Sequence, residues 1–337
     1  MKILMHERFG DPGEVLQLVS IPEPELGPLE VAVRIEAAPI HAGDLKNIAG
    51  EKLMFREVGD GQKLEVKLPQ VPGIEGVGRV VRIGSAVSRF KPGDRVLLPW
   101  QCGSWRDLIH ADQTRLMPAP EGDAVQLSLM VNAFTADFAL RDLAPLEPGD
   151  WFLQNGANSN VGRILIRLAK QRSIRTLNVV RRPELIADLK ASGADVVVVD
   201  GPDLAQRVRA EVGKVPLRIA LDGIAGAATG RLAECLSDGG TIANMGMMSG
   251  EACSIPPWIL LYRRIRLIGY YAGFNRTQRS PQEEAEVIAE LARGMADGTL
   301  STPVAGVYPL EEYREAVAHE LRSGGEREGK VVFVMGA

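Results

Sequence analysis

Apolar and polar positions change their rhythm once along this chain, near residue 127. Before that point, apolar-rich runs at 29–37, 76–83 and 95–99 are cut apart by turn clusters reading PEPELGP, RFKPGD and PAPEGD. Short apolar runs bounded by Pro, Gly and Asp predict β-strands, and helix is expected only at 42–48. Beyond residue 127, strands are expected at 151–154, 176–180, 195–199, 217–222, 240–244 and 265–269. Helices are expected between them at 161–171, 183–191, 203–212 and 227–236. Alternation of strand and helix predicts an α/β fold with a parallel, doubly wound sheet and helices on both faces. Two further helices (281–296 and 310–321) and a last strand (330–335) make a tail too small to fold alone. That tail is expected to return to the N-terminal part. At 337 residues the chain exceeds one typical core, so two domains are predicted: 1–122 with 270–337, and 123–269.

The first strand-to-helix junction of the alternating half carries the clearest chemistry. Residues 151–182 read WFLQNGANSNVGRILIRLAKQRSIRTLNVVRR, with Gly156, Ser159 and Gly162 at three-residue spacing. Small residues there let backbone N–H groups approach a pyrophosphate at a helix N-terminus. The turn alone is a weak signal, because any tight strand-to-helix connection favours small residues. Asn160 also stands where many such loops carry glycine. The end of the second strand sharpens the reading. An NAD site closes that strand with an acidic residue for the ribose 2′-hydroxyl. Here Arg181 and Arg182 stand there, with no carboxylate before Glu184. Two guanidiniums suit the 2′-phosphate of NADPH. NADPH is therefore the expected cofactor, held by Asn155, Gly156, Asn158, Ser159, Asn160, Val161, Gly162, Arg181 and Arg182.

Taken in order, several segments resemble a known family over essentially the full length. They are PIHAGDLKNIAG (39–50), VPGIEGVGRV (71–80), FKPGDRVL (90–97), LEPGDWFLQNGANSNVG (146–162), NVVRR (178–182), GGTIANMG (239–246) and GKVVFVM (329–335). The chain resembles the medium-chain dehydrogenase/reductase superfamily, and in particular its zinc-free quinone reductases and trans-2-enoyl thioester reductases. The resemblance implies a GroES-like β-rich catalytic domain that also takes the C-terminal tail, a central Rossmann domain, and an active site in the cleft between them. It also implies Gly223, Met245, Gly246, Met247, Tyr270 and Lys330 beside the cofactor. Zinc-free relatives are commonly homodimers joined through the last Rossmann strand. The segment RRIRLIGYYAG (263–273) is apolar enough to pair with its own copy.

A metal is not expected. A catalytic zinc needs three N, S or O ligands and one open position. At the positions resembling the first two ligands of zinc alcohol dehydrogenases stand His41 and Ile74, and isoleucine cannot bind a metal. Without a metal to polarise an alcohol, the expected reaction is hydride donation from NADPH to a quinone or an α,β-unsaturated carbonyl. Reduction of enoyl thioesters and silent NADPH binding are the alternatives. The thioester reductases carry a tyrosine where this chain has Lys52, beside an apparent insertion at 54–67. His41, Lys52 and Tyr271 are the candidate proton donors, with Tyr270 considered beside Tyr271. Against these roles stand a hydrogen-bonded structural histidine, a solvated loop lysine, and strand packing for one of the two tyrosines. Phe55, Trp100, Trp105 and Phe134 are candidate walls of an apolar acceptor pocket, although core packing explains Phe134 equally well. Tyr262–Arg266 (YRRIR) is expected to be the solvated start of an edge strand.

Composition excludes more than it selects. The chain is 45% hydrophobic and 24% charged, with 39 basic and 43 acidic residues and a net charge of −4. With no basic block, nucleic acid is not an expected partner. Cys102, Cys235 and Cys253 have no paired spacing, which fits a reducing cytosol. The N-terminal MKILMHERFG has no long apolar core and no segment suits a bilayer, so the expected setting is cytoplasmic with no membrane partner.

Overall fold

The computed structural model describes residues 1–51, 57, 58, 62, 63, 67–273, 279–322 and 328–336. Lys52 and Phe55 lie outside the described residues, as does most of the 54–67 insertion. The chain divides into two compact units, Met1–Val131 with Ala285–Ala337, and Asn132–Glu284.

The first unit is built on the strand Glu30–Pro39, whose residues are mostly buried. It pairs antiparallel with Val77–Ile83, with Leu108–Asp112 and, at its far end, with Lys330–Val334. Register shifts between Ala32 and Val33 and between Ile35 and Ala37 interrupt its pairing with Val77–Ile83. Such bulges bend a strand and let it serve more than one neighbour. Val304–Pro309 then adds parallel to Lys330–Val334. The tail thus completes the N-terminal sheet, as its length required. Trp105 and Phe333 meet edge to face at 5.3 Å between ring centres. Ile35, Ile40, Leu45, Ile48 and Val331 close around them.

The second unit holds six parallel strands. Their spatial order is Val196–Val199, Arg175–Val180, Trp151–Asn155, Leu217–Asp222, Thr241–Asn244, Arg266–Gly269. Chain order reverses between Trp151–Asn155 and Leu217–Asp222, and ligands of such sheets gather beyond the strand ends at that switch. Trp151–Asn155 is buried at every position. Gln154 spans two layers, donating to the Gly162 carbonyl at 3.1 Å and to Asn178 Oδ1 at 2.7 Å. Arg266–Gly269 is the edge, with Leu267 and Ile268 exposed. Before it, Tyr262, 81% exposed, and Arg263 end the helix Pro257–Arg263 instead of opening the strand, and Ile265 is buried.

Several elements were not predicted. Met130–Asp142 is a helix buried on nearly every side, so it shows no alternation of apolar and polar positions. Pro257–Arg263 is a short helix whose apolar residues Trp258, Leu261 and Tyr262 face outward. The strand Val304–Pro309 contains Gly306 and ends on a proline, both poor strand signals. The helix expected at 310–321 is a tight turn, Leu310–Glu312, leading into Tyr313–Leu321.

Candidate functional site

Two groups of residues stand out, one in each unit. In the second unit the chain leaves Trp151–Asn155 through Gly156, whose φ of +57° is a left-handed conformation that glycine tolerates. Ser159 caps the helix Asn160–Gln171, its hydroxyl accepting from the Gly162 N–H at 3.1 Å. A Cβ on Gly162 would sit 2.5 Å from the Ala157 carbonyl oxygen, so only glycine lets the helix approach its loop this closely. Asn158 and Val161 lie in this loop and first turn. Among the described residues the buried Asn160 Nδ2 has no hydrogen-bond partner. An orphaned amide donor beside open helix N–H groups fits a bound anion such as a pyrophosphate.

The strand end at Val180 is followed by Arg181, exposed and without an ion pair among the described residues, and by half-buried Arg182. Arg182 lies 3.7 Å from Glu184. Behind the loop Arg163 is buried, its Nε donating to the Asn158 carbonyl at 3.1 Å and its Nη2 lying 2.5 Å from Asp188. The glycine loop is thereby tied to the helix Leu185–Ala191 that follows the arginine pair.

At the switch point the carboxylate of Asp222 organises three strand ends. It accepts from Asn155 Nδ2 at 2.7 Å, from the Ile224 and Ala225 N–H groups at 3.0 Å, from Thr229 Oγ1 at 2.6 Å and from Asn244 Nδ2 at 3.3 Å. Asn155 Oδ1 accepts the Gly223 N–H at 2.8 Å. Both ends of the Asn155 amide are therefore engaged by the protein itself. A Cβ on Gly246 would meet the Gly223 carbonyl oxygen at 2.6 Å, which fixes the close approach of these two loops. Met245 is half-buried beside Gly223, and Met247 is exposed.

Tyr270 and Tyr271 lie just beyond the strand Arg266–Gly269, not in it, and their side chains part ways. Tyr270 is buried and donates to the Thr135 carbonyl at 2.8 Å, and burial raises its phenol well above the usual range. Its hydroxyl is thus held inside the unit, whereas the Tyr271 ring is exposed. Two expected pocket walls are core residues instead. Trp105 is fully buried with its indole N–H on the Pro39 carbonyl, and Phe134 stacks on Phe138 at 5.9 Å. Trp100 is half-buried.

In the first unit His41 precedes the helix Ala42–Ile48, and the Asp44 carboxylate reaches back to the His41 N–H at 2.9 Å. Asp44 also accepts the Gly73 N–H at 3.2 Å. The imidazole Nε2 lies 2.7 Å from Glu75 Oε1, and Glu75 Oε2 accepts the Val131 N–H at 2.6 Å. Burial pushes the Glu75 carboxyl well above its ordinary range, with a smaller contribution from Asp44, while the Val131 N–H and Lys330 pull it down. Lys330 itself donates to the Ile40 carbonyl at 2.8 Å and lies 3.2 Å from Glu320. Its ammonium is taken up within this unit. From the sequence Glu75 reads as a hydrogen-bonding residue between a strand and a turn, and it is found as one, although its partner His41 is not foreseen. It is separated from His41 by 34 positions, and no local signal links them.

These residues do not fit a catalytic zinc. Ile74 has no donor atom, His41 Nε2 is taken by Glu75, and burial raises the Cys102 thiol to about 12, away from the thiolate a metal needs. Among the described residues no group of three or more His, Cys, Asp and Glu is placed to hold a metal.

Comparison with known proteins agrees with this geometry. Residues 27–123 match the alcohol dehydrogenase GroES-like domain, and residues 160–293 match the family described as zinc-binding dehydrogenase. The mitochondrial enoyl-[acyl-carrier-protein] reductase of Mus musculus is 32% identical over 331 residues, covering 96% of this chain and 86% of that one. A putative NADPH:quinone reductase from Bacillus thuringiensis superposes with a TM-score of 0.87 at 26% identity, over 99% of both chains. A mycobacterial protein solved in complex with NADPH gives a TM-score of 0.81 at 25% identity, over 99% of this chain and 100% of that one. The glycine loop, the doubly wound sheet and the GroES-like unit carry the same assignment: the chain belongs to the medium-chain dehydrogenase/reductase superfamily, alongside its enoyl reductases and quinone oxidoreductases.

Proposed function

We propose that this chain is an NADPH-dependent, zinc-independent reductase acting on a quinone or an α,β-unsaturated carbonyl compound. The observation that carries the reading is the glycine loop with its orphaned Asn160 amide, followed by the Arg181–Arg182 strand end. When bound, NADPH supplies the hydride. Gly156, Asn158, Ser159, Asn160, Val161 and Gly162 hold the pyrophosphate. Arg181 and Arg182 take the 2′-phosphate. Gly223, Met245, Gly246 and Met247 line the nicotinamide side. Asn155 acts one step behind them, by fixing Gly223.

Hydride arrival at an electron-poor carbon leaves an enolate or hydroquinone anion, which needs hydrogen bonds and then a proton. His41 is the group we assign to that proton, because an imidazole can both give and accept one. Tyr271 is the second candidate, and Lys52 lies outside the described residues. Enoyl thioesters are the acceptors favoured by the curated relatives, which are enoyl-[acyl-carrier-protein] reductases. We also propose a two-fold dimer through 265–271, where Leu267 and Ile268 of the edge strand are exposed. A monomer by light scattering at micromolar concentration contradicts that assembly.

Cofactor choice tests the reading most directly. A charged hydrogen bond contributes about 1.5–3 kcal/mol, so Arg181→Glu is expected to weaken NADPH binding by roughly tenfold or more and to spare NADH. Equal wild-type affinity for the two cofactors refutes the assignment of the arginine pair. NADPH oxidation against a panel of quinones, enones and enoyl thioesters identifies the acceptor class. Tight NADPH binding with no oxidation by any of them points instead to a silent binding protein.

A further inference from the structure

An acidic residue stands beside the arginine pair of the second unit and is kept from it. The strands Arg175–Val180 and Val196–Val199 run parallel with Val180 opposite Val199, so Arg181 and Asp200 follow at the same end of neighbouring strands. The Asp200 N–H donates to the Val180 carbonyl at 2.7 Å, which ties the two strand ends together. Neighbouring strands lie about 4.8 Å apart. A carboxylate at that spacing can pair with Arg181 or repel an anion bound to it. In the structure it is committed elsewhere. Arg231 Nε donates to Asp200 Oδ1 at 2.7 Å and Arg231 Nη2 to Asp200 Oδ2 at 2.6 Å. The Gly201 N–H adds a donor to Oδ1 at 2.9 Å. Arg231 comes from the helix Ala227–Cys235, and both partners are half-buried. Arg181 has no ion pair among the described residues.

We propose that Arg231 is a positioning residue for cofactor choice: it holds the Asp200 carboxylate so that Arg181 stays available to the 2′-phosphate of NADPH. The inference rests on the NADPH reading above and deepens it. A guanidinium fork matches both oxygens of a carboxylate, so it fixes the direction of Asp200 as well as balancing its charge. Without Arg231 the carboxylate keeps only its backbone donor, and Arg181 is the cation across the strand gap. If Asp200 then turns to Arg181, it competes with the phosphate for that guanidinium. If it stays unpaired, it repels the phosphate. Either outcome lowers NADPH affinity. NADH carries a neutral hydroxyl in place of the phosphate and has little to lose. An ion pair that merely joined helix to strand would, when broken, loosen the site for both cofactors alike. The proposed role therefore shows in the difference between the cofactors.

The test measures dissociation constants for NADPH and for NADH by titration calorimetry, with no acceptor present. It uses the full-length wild type, Arg231→Met, Arg231→Lys, and a double variant joining Arg231→Met to Asp200→Asn. Arg231→Met is expected to weaken NADPH binding by about tenfold, the equivalent of one charged hydrogen bond, and NADH binding by less than about twofold. Lysine keeps the charge but not the fork, so Arg231→Lys should lose part of the preference for NADPH. The double variant also removes the released carboxylate. It should return NADPH affinity to within about threefold of wild type. Equal weakening of both cofactors in Arg231→Met, or no recovery in the double variant, overturns the inference. If Arg231→Met does not fold, Arg231→Lys decides: a reduced NADPH preference supports the role and an unchanged one refutes it. A wild type that binds NADH as tightly as NADPH brings down the cofactor reading and this inference together. A wild-type preference that survives intact in Arg231→Met refutes only the part given to Arg231.

Discussion

Asp222 and Glu75 are both carboxyls withdrawn from solvent, one in each unit, and the protein surrounds them in opposite ways. Asp222 receives two side-chain amides, two backbone N–H groups and a hydroxyl. Glu75 receives one backbone N–H and an imidazole that can give or accept a proton. Four N–H donors and a hydroxyl, set by three strand ends and a helix, lock the geometry around the Asp222 carboxyl. A reversible partner in a dry setting leaves the protonation state open. The first arrangement builds the rim on which a cofactor can rest. The second leaves a carboxyl that can keep its proton. Burial alone therefore says little about what an acidic residue does; the number and kind of its donors decide.

The largest effect is expected from Asp222→Ala. It leaves the Asn155 amide, the Ile224 and Ala225 N–H groups and the Thr229 hydroxyl facing an empty space. Each buried donor left without an acceptor costs about 1–3 kcal/mol. For a unit of this size each kcal/mol moves Tm by about 2–4 °C. Calorimetry of the cofactor-free protein should thus show a drop on the order of 10 °C, together with weakened NADPH binding. A drop below about 2 °C breaks the comparison, because it would mean that the donors find other acceptors at little cost.

Glu75→Gln should act in the contrary sense, and its sign depends on pH. The folded state holds the Glu75 proton more tightly than the unfolded chain, whose carboxyl titrates near 4.5. As pH rises above that value the unfolded state loses its proton first. The wild type therefore loses stability progressively until the raised folded value is passed. Glutamine carries no such proton. The Tm of the variant relative to wild type should rise as pH increases above about 4.5. A constant difference across that range means that Glu75 is not held protonated.

How much of this was legible in the sequence depends on distance along the chain. The helix at 42–48 and the strand at 217–222 matched the observed bounds, and the glycine loop with its flanking elements was off by a residue at most. Each of these is signalled by its own periodicity, caps and turn residues. The helix Met130–Asp142 was not, because a helix surrounded by protein has no polar face to mark its period. The site divides in the same way. The loop residues and the arginine pair are contiguous, so the sequence names them. Asn155 was expected to touch the cofactor, yet its amide bridges Asp222 and Gly223, some 67 positions away. The His41–Glu75 contact likewise requires a helix start and a strand start to converge. Sequence order does not reveal that.

Thr229→Val probes the smallest effect and separates two accounts of the Asp222 cluster. Thr229 is fully buried, and its hydroxyl donates to Asp222 Oδ2 at 2.6 Å. Valine keeps nearly the same volume, so no cavity opens and one donor is lost. If the five donors share the carboxylate, the remaining four continue to hold it, and the loss is that of one charged hydrogen bond, about 1.5 kcal/mol. Tm should then fall by about 3–6 °C, while NADPH affinity stays within about threefold, since neither Gly223 nor Asn155 moves. If the variant falls as far as Asp222→Ala, the cluster hangs on a single bond and the contrast with Glu75 narrows to one donor each. In the Asp222→Ala background, where the Thr229 hydroxyl has lost its acceptor, Thr229→Val should restore part of the lost stability.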